Sequence, residues 1–410
     1  MYGMTLLTFF TFVFAIVLLV TCVYNFVMSP LVLCLLDGDC AGVSFTSVQG
    51  MYSRMIAVAC FLSFSTLLCK YRTMMPVYEK NIEAYEVYSP TTDTEHRNRS
   101  LFNLFLTVLY LSVILPINVL RLFLLNRSES GTVILIFFVF MYLENIGMSM
   151  TETDFIIKCR TLYNKFFKIN RDLEHLGREI AHTSMTIVEK TVAVGHRVVY
   201  DGDFYGSNDH SIANAIEIIR IRHRLIRDAV YVLINLFAIP MGLSLFTLCV
   251  MTLFDIYYQV FSVMGADSRS LIFIYMWLLQ YSIRFYIIVV SAHNTTKQAL
   301  KSKILITDIN NRYLDNNTKE ELQLFLNQIS SCTIEFTACD FFTLNTHLIT
   351  SVSWPYDYST INCIHYIIYT FQKHYVPILK TNLFHSVWKC FGLFSICFVC
   401  RQLQLARHIS

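Results

Sequence analysis

Residues 318–373 are the part of this chain that best indicates its fold. The segment begins TKEELQLFLNQISSCTIEF, and its Thr318 and Glu321 have the spacing of a helix capping box. Apolar residues then recur at helical spacing and predict one apolar face, formed by Leu322, Phe325, Leu326, Ile329 and Phe336. Two apolar passages follow, CDFFTLN at residues 339–345 and YIIYTFQ at residues 366–372. The segment therefore predicts an amphipathic helix outside the membrane that leads into a final membrane span.

The composition of the whole chain is that of a multipass membrane protein. Its mean hydropathy is +0.50, 55% of its 410 residues are hydrophobic and only 15% are charged. So few charges in a chain of this size are not typical of soluble proteins. The formal charge of +3 is dispersed over the loops, so no nucleic-acid partner is predicted. The 13 cysteines lie mostly inside apolar segments and predict no disulfide framework.

The apolar segments predict seven membrane spans. A crossing needs about 20 apolar residues. Six such segments lie at roughly 6–27, 51–69, 101–125, 132–150, 232–254 and 270–292. A seventh span is expected in the remaining C-terminal part of the chain. We expect the first segment to be a retained span with a break near Pro30.

Lysine and arginine are concentrated in alternate loops. They number 4 in residues 71–100, 12 in 151–230 and 5 in 293–340, against 0 in 37–50, 1 in 126–131 and 1 in 255–269. Loops rich in basic residues stay in the cytoplasm. We therefore expect the N-terminus and the basic loops inside the cell and, with seven spans, the C-terminus outside.

This orientation separates the chain from other classes of membrane protein. G-protein-coupled receptors have their N-terminus outside, and no Asn-Pro-x-x-Tyr occurs in a last span here. The internal repeat of secondary transporters, the Gly-rich phosphate loops and the His-x-x-Glu-type metal clusters are also missing from the sequence. A multipass transporter or membrane enzyme is kept as an alternative, but no enzyme activity, cofactor or metal site is predicted.

Residues 318–373 resemble the closing segment of the insect gustatory receptors. Those receptors read roughly fta-G-fFtld, then a short apolar run, Thr-Tyr, five mostly apolar residues and Gln-Phe. Phe342, Thr343 and Leu344 match this pattern, as does the spacing from Tyr366 to Gln372. The positions that depart from it are Asp340, Asn345, His365 and Lys373.

Two further motifs occur in the order that the resemblance requires. Phe166 and Asn170 lie in L-x-x-K-F-x-x-I-N-x-x-L, similar to the L-x-x-R-F-x-x-L-N-x-x-L that gustatory receptors carry after the fourth span. His223 and Asn235 lie in a stretch similar to their H-x-x-L followed by i-N-x-x-F, before and into the fifth span. The resemblance thus covers most of residues 55–352.

The resemblance implies an all-helical, seven-span subunit of a ligand-gated, non-selective cation channel that detects a small organic tastant. It also implies a homo- or heterotetramer with other gustatory receptors, in the plasma membrane of a sensory neuron dendrite, with Tyr366 and Gln372 on the pore helix. The chain would then comprise a sensing region (1–315), an anchor helix with the pore helix (316–372) and an atypical tail (373–410). The related odorant receptors are the runner-up, disfavoured by the Tyr-to-Gln pattern.

Two apolar stripes outside the predicted membrane spans need packing partners. One stripe comprises Phe155, Leu162, Phe166, Ile169 and Leu173, and the other comprises Ile216, Ile219, His223 and Ile226. The amphipathic helix that begins near Thr318 supplies a third. We therefore expect a cytoplasmic anchor bundle, in which these helices pack together and against neighbouring subunits.

Glu144 and Arg284 are ionisable residues inside predicted spans, where charges are usually functional. Counted from the outer ends of the fourth and sixth spans, both lie roughly 20 Å deep. Equal depth and opposite charge predict a buried ion pair between them. The alternative is that the Arg284 side chain extends to the inner interface.

Aromatic residues in the outer halves of the spans predict a pocket for a small organic ligand. They are Phe138, Tyr142, Tyr257, Tyr258, Tyr275 and Trp277. The alternative is an aromatic belt at the membrane interface together with ordinary helix packing. Asn126 begins the sequon Asn126-Arg127-Ser128 on a predicted outer loop and is a candidate for glycosylation.

After Val352 the chain departs from what the resemblance implies. Pro355 interrupts the expected pore helix, and residues 361–371 give 11 residues, about 16 Å of helix against about 30 Å of hydrocarbon. We hypothesise that the sequence from about residue 353 onward derives from an alternative or misjoined terminal exon. The competing interpretation is one seventh helix that is broken around Pro355.

Overall fold

The computed structural model describes residues 2–37, 48–90, 93–127, 131–193, 209–263, 268–309, 314, 316–331, 334–338 and 342–348. Seven helices occupy most of this part of the chain. They are α1 (Tyr2–Asp37), α2 (Val48–Tyr88), α3 (Asp93–Arg127), α4 (Thr132–Ala193), α5 (Asp209–Val263), α6 (Ser268–Asp308) and α7 (Asn316–Ser331). Two short strands follow, with β1 (Thr337–Ala338) antiparallel to β2 (Phe342–Thr343). The predicted all-helical class is thus confirmed for the described residues.

Five helices of the described part are long and apolar enough to cross a bilayer. Their apolar segments are Phe12–Val32, Ser53–Tyr88, Ser100–Leu120, Thr132–His182 and Ile212–Thr252, and each overlaps one of the first five predicted spans. Helix α6 continues without interruption through the sixth predicted span. The predicted seventh span lies outside the described residues, so the count of seven stays a prediction.

Helix α1 runs through Pro30 to Asp37, so the predicted break at that proline is wrong. Pro76, Pro116 and Pro240 likewise lie inside helices. A proline removes one backbone hydrogen bond. In an apolar helix the remaining bonds keep the helix intact, because lipid offers the backbone no alternative partner.

Helices α4 and α5 are much longer than a bilayer is thick. They contain 62 and 55 residues, which correspond to about 93 Å and about 83 Å of helix against about 30 Å of hydrocarbon. Both must therefore extend well beyond one membrane face. There α7 packs against α5 and α6, and α4 packs against both α5 and α6.

The chain divides into two compact units. One comprises residues 1–28 and 56–345, and the other comprises residues 29–55 and 346–410. The first unit contains α3 to α7, both strands and most of α1 and α2. In the second unit the structure describes the end of α1 and the start of α2, where Val32 and Met55 are buried.

Within the first unit, α1, α2 and α4 approach closely at Gly147. A methyl group on this residue would lie 2.8 Å from the Leu18 side chain and 2.9 Å from that of Phe64. The buried cluster around this contact comprises Leu18, Cys22, Cys60, Phe64 and Met148. Glycine is required here because only a residue without Cβ lets the three helices come this close.

Helix α7 differs from its prediction at both ends. It begins at Asn316, and the Glu321 carboxylate accepts a hydrogen bond from Arg220 of α5 at 3.2 Å. The predicted capping box is wrong, because the helix begins two residues before Thr318, so Thr318 is not the residue that caps it. Helix α7 ends at Ser331, so Phe336 does not continue its apolar face. Phe336 is buried instead against Phe155, with 5.9 Å between ring centroids.

Candidate functional site

His223 lies where α4, α5 and α7 meet. Its ring centroid is 5.5 Å from that of Phe166 on α4 and 5.4 Å from that of Phe325 on α7, both in edge-on geometry. Residues of the three predicted apolar stripes are buried along the same three helices. We call them the His223 bundle: Phe155, Leu162, Phe166, Ile169, Leu173, Ile216, Ile219, Ile226, Leu322, Phe325 and Ile329. The three amphipathic helices thus bury their apolar faces against one another within a single chain.

Asn170 and His223 belong to the motifs that carry the family resemblance. They join the helices in different ways, Asn170 through hydrogen bonds and His223 through packing. The Asn170 amide donates to the Gln298 carbonyl at 2.8 Å, and its Oδ1 accepts from the buried Ser302 hydroxyl at 2.6 Å. Asn170 therefore ties α4 to α6 through polar contacts. Neither ring nitrogen of His223 has a hydrogen-bond partner among the described residues, so this side chain acts through packing.

The different contacts of Asn170 and His223 predict different effects of their substitution on the stability of the protein. Replacing Asn170 by leucine should lower the free energy of unfolding by about 1–3 kcal/mol, because two buried polar contacts of α6 lose their partner. Replacing His223 by phenylalanine should change it by less than about 1 kcal/mol, because both edge-on contacts are kept. Thermal melting of the full-length protein in detergent checks both values. Equal destabilisation by the two variants would contradict this account.

Polar contacts join α5 to α7 beside the His223 bundle. Arg227 donates to the Gln328 carbonyl at 3.2 Å, and the Gln328 amide donates to the Arg220 carbonyl at 3.3 Å. The chain after α7 then folds back, since the Leu344 amide donates to the Phe336 carbonyl at 2.7 Å. The motif residues Phe342 and Thr343 form β2, and β1 packs against α5. The motif that follows α7 is therefore held close to the bundle.

The end of α2 is attached to α4 and α5 through charged groups. Arg222 of α5 pairs with Asp172 of α4 at 2.7 Å and donates to the Tyr85 hydroxyl at 3.1 Å. Lys165 of α4 pairs with Glu86 at 3.0 Å. These contacts connect three helices beyond the apolar part of the spans. Asn235, the remaining motif residue, is exposed, and its carbonyl accepts from Lys70 of α2 at 3.2 Å.

A buried ion pair lies between α4 and α6. Arg284 donates to Glu152 from Nε at 2.8 Å and from Nη2 at 2.7 Å, and from Nη1 to Asn145 at 2.6 Å. Ser244 of α5 also donates to Glu152. The two charged side chains are 5% and 0% exposed, so the pair is fully withdrawn from solvent. It links three helices through bidentate, charge-assisted hydrogen bonds.

The predicted pairing of Arg284 with Glu144 is therefore wrong. Glu144 accepts a hydrogen bond from Asn25 of α1 at 2.6 Å. Eight residues separate Glu144 from Glu152 on α4, and they turn the side chain by about 80° around the helix axis. Glu144 consequently faces α1 while Glu152 faces α6, a difference that depth in the membrane does not reveal.

Of the six aromatic residues predicted for the ligand pocket, the structure describes three side chains. Phe138 and Tyr142 are buried neighbours on α4, with 6.1 Å between ring centroids. Trp277 of α6 is half-buried. The other three pocket side chains, Tyr257, Tyr258 and Tyr275, lie outside the described part. So do those of Asn126, the glycosylation candidate, and of the pore residues Tyr366 and Gln372. Their predicted roles in the pocket, in glycosylation and in the pore stay predictions.

Three buried polar side chains that sequence reasoning missed lie on α3 and α6. The Tyr110 hydroxyl, the Asn118 amide nitrogen and both amide atoms of Gln280 have no hydrogen-bond partner among the described residues. All three side chains are buried. A search for ionisable residues in the spans passes over them. The signal that could have found them is an uncharged polar residue inside an otherwise apolar span.

Comparison with known proteins accords with this architecture. The chain matches the 7tm chemosensory receptor family over residues 3–353. Among solved structures it is similar to the insect olfactory receptor OR5 from Machilis hrabei, with a TM-score of 0.55 and 13% identity over 87% of this chain and 88% of that chain. No curated protein matches the chain in sequence. Because the family match extends over most of its length, the chain belongs to the 7tm chemosensory receptor family, as its sequence predicted.

Proposed function

We propose that this chain is a subunit of the gustatory receptor class, whose members are ligand-gated, non-selective cation channels that open when a small organic tastant binds. The observation that carries the proposal is the placement of the gustatory-receptor motifs. Phe166 and His223 pack against each other, and Phe342, Thr343 and Leu344 lie in and just after β2, the second strand after the helix that completes their bundle. The family is one of receptors, which disfavours the alternatives of a transporter or an enzyme.

An odorant receptor is the second candidate. It is favoured by the likeness in fold to an insect olfactory receptor, although 13% identity carries no information about the ligand. Taste is the better supported choice because the spacing from Tyr366 to Gln372 is that of the gustatory receptors.

The proposal includes a tetramer in the plasma membrane of a sensory neuron dendrite. In it, the cytoplasmic extensions of α4 and α5, together with α7, anchor each subunit against its neighbours, and Tyr366 and Gln372 occupy the positions that belong to the pore helix in the gustatory receptors. The other members of the tetramer are copies of this chain or other gustatory receptors.

The N-terminus of the proposed receptor lies in the cytoplasm. This orientation rests on the basic residues, of which 12 occur in residues 151–230 and 0 in residues 37–50. In intact cells that express a variant with native Cys40 replaced by serine, a membrane-impermeant thiol reagent should label a cysteine introduced within 41–46 and miss one introduced within 200–208. Labelling with the opposite pattern would reverse the orientation and remove the basis for a gustatory receptor.

The ligand is proposed to bind among the aromatic residues at the outer ends of α4 and α6, with Tyr142 and Trp277 as anchors. The test uses full-length protein purified in detergent, since a ligand that binds only the folded state raises the melting temperature. Non-volatile tastants (sucrose, caffeine, denatonium) are compared with volatile odorants (eugenol, 1-octen-3-ol). We expect at least one tastant to stabilise the protein in a saturable way and Trp277→Ala to weaken that effect. Leu279→Ala, a change at an exposed neighbour on α6, is the matched control.

Two outcomes would decide against the proposal. Stabilisation by the odorants alone would favour the odorant receptor. A melting temperature that no compound in either set changes would remove the support for a ligand site in this chain.

A further inference from the structure

Glu144 of α4 is a buried carboxyl group without a cation beside it. The residue is 2% exposed and faces α1. No described lysine, arginine or histidine forms an ion pair with it, and the guanidinium of Arg284 is directed to Glu152 and Asn145 instead. An ionised carboxylate is strongly unfavourable in such a position unless a cation compensates its charge.

The surroundings of Glu144 are mostly apolar. Met148, one turn further along α4, belongs to the buried cluster at Gly147. The Cys22 thiol of α1 is within hydrogen-bonding reach of the carboxyl group, and Cys60 of α2 is close enough to interact with it electrostatically. A thiol carries no positive charge in either of its protonation states, so neither cysteine can balance a carboxylate.

Asn25 of α1 faces this carboxyl group with one amide atom satisfied and the other not. Its Nδ2 donates to Glu144 Oε1 at 2.6 Å. Its Oδ1 is buried and has no hydrogen-bond partner in the described part of the chain. A buried amide oxygen without a donor is unfavourable and rare in folded proteins. A protonated carboxyl group has a hydroxyl to donate, whereas a carboxylate has none.

We propose that Glu144 is a proton-binding site and that the bound proton attaches α1 to α4. The protonated Oε2 of Glu144 donates to Asn25 Oδ1, while Asn25 Nδ2 donates to Glu144 Oε1, so that the acid and the amide form a ring of two hydrogen bonds. This acid–amide ring satisfies both ends of the Asn25 amide and leaves no charge to compensate. The inference goes beyond the proposed function and does not depend on it.

The acid–amide ring gives direction to a helix contact that is otherwise apolar. Leu18 of α1 packs at Gly147 of α4, and the Tyr24 ring lies edge-on to Phe140, with 4.9 Å between ring centroids. Apolar contacts are non-directional, whereas hydrogen bonds require particular atoms in a particular orientation. The ring therefore fixes the rotation of α1 against α4. Loss of the proton would leave a negative charge against the Asn25 oxygen and weaken this attachment.

Infrared spectroscopy of the full-length protein in detergent at neutral pH detects the proton directly, because the C=O stretch of a carboxylic acid is separate from that of a carboxylate. We expect a carboxylic-acid band that Glu144→Gln removes. Asp154→Asn is the matched control, since Asp154 lies on the same helix but forms an ion pair with Lys158, and it should leave this band unchanged. Asn25→Leu should keep the band but shift it to the higher frequency of an acid without a hydrogen-bond acceptor.

Melting temperatures of the same proteins test the ring itself. Glu144→Gln should change the melting temperature little, because a glutamine amide can form the same two hydrogen bonds with Asn25. Asn25→Leu should lower it, because the buried acid loses both of its partners in the ring. The double variant Asn25→Asp with Glu144→Gln exchanges the acid and the amide between the helices. It should recover most of the melting temperature that Asn25→Leu loses and regain the acid band that Glu144→Gln lacks.

Each opposite outcome overturns the inference. Loss of a carboxylate band instead of an acid band in Glu144→Gln would show that Glu144 is ionised. Failure of Glu144→Gln to fold would show that the protein requires the negative charge. If Asn25→Leu changes neither the acid band nor the melting temperature, Asn25 does not bind the proton of Glu144. A double variant that is no more stable than Asn25→Leu, or that lacks the acid band, would exclude the ring.

Discussion

Replacing Arg284 by methionine is expected to destabilise the protein by about 3–5 kcal/mol and to prevent it from reaching the cell surface. The change leaves Glu152 fully buried with a charge that no described residue compensates, since the same guanidinium supplies two of its three hydrogen bonds. Surface biotinylation measures the export of the protein. Thermal melting in detergent measures the loss of stability.

Two further variants test whether the loss of stability is specific to the Arg284–Glu152 ion pair. The double variant Glu152→Met with Arg284→Met should recover most of the lost stability, because apolar side chains of similar volume can replace a buried ion pair. Glu144→Gln is the matched control. It replaces a buried carboxyl group of the same helix but keeps an oxygen to accept from Asn25, so it should cost less than about 1 kcal/mol. If Arg284→Met costs no more than this control, the pair does not stabilise the fold.

The chain as written is expected to give no ligand-evoked cation current, even when it reaches the surface and binds ligand. The expectation concerns residues 353–410, in which Pro355 leaves 11 residues at 361–371, about 16 Å of helix where about 30 Å is needed. The match to the family ends at Ser353, which supports the hypothesis of an alternative or misjoined terminal exon.

A chimera provides the positive control for this prediction. Residues 353–410 are replaced by the closing segment of a gustatory receptor with an uninterrupted pore helix, and whole-cell currents are recorded at matched surface expression. The chimera should conduct when the unmodified chain does not. Transcript sequencing through the codon for Val352 then tests the origin of the segment. Ligand-evoked current from the unmodified chain would refute the defective-pore hypothesis and favour a seventh helix broken around Pro355.

Much of the fold follows from periodic patterns that are local in the sequence. A run of about 20 apolar residues forms a helix in a membrane, because no other conformation satisfies the backbone there. Apolar residues three and four positions apart likewise identify the buried face of a helix, whatever its partner. Phe166, His223 and Phe325 were predicted on three separate stripes for this reason, and they meet at one junction.

The contacts of individual polar residues could not be predicted in the same way. Equal depth in the membrane predicted Glu144 as the partner of Arg284, but Arg284 pairs with Glu152. The partner depends on how each helix is rotated and tilted against its neighbour. Glu321 matched a capping motif, but Arg220 on another helix offers it a charged partner that a local motif does not include.

The sequence alone determined the membrane class, the helices, the apolar face of each and the family to which the chain belongs. Only the tertiary structure decided which polar groups are satisfied and which are not. Gln280 shows the difference, because its environment is created jointly by α3, α4 and α6, which are far apart in the chain. Apolar burial is non-directional, so the buried face of a helix can be predicted even when the rotation of the helix is known only roughly. A hydrogen bond requires a particular atom within about 3 Å and in the right direction, so its partner is known only when the helices are in place.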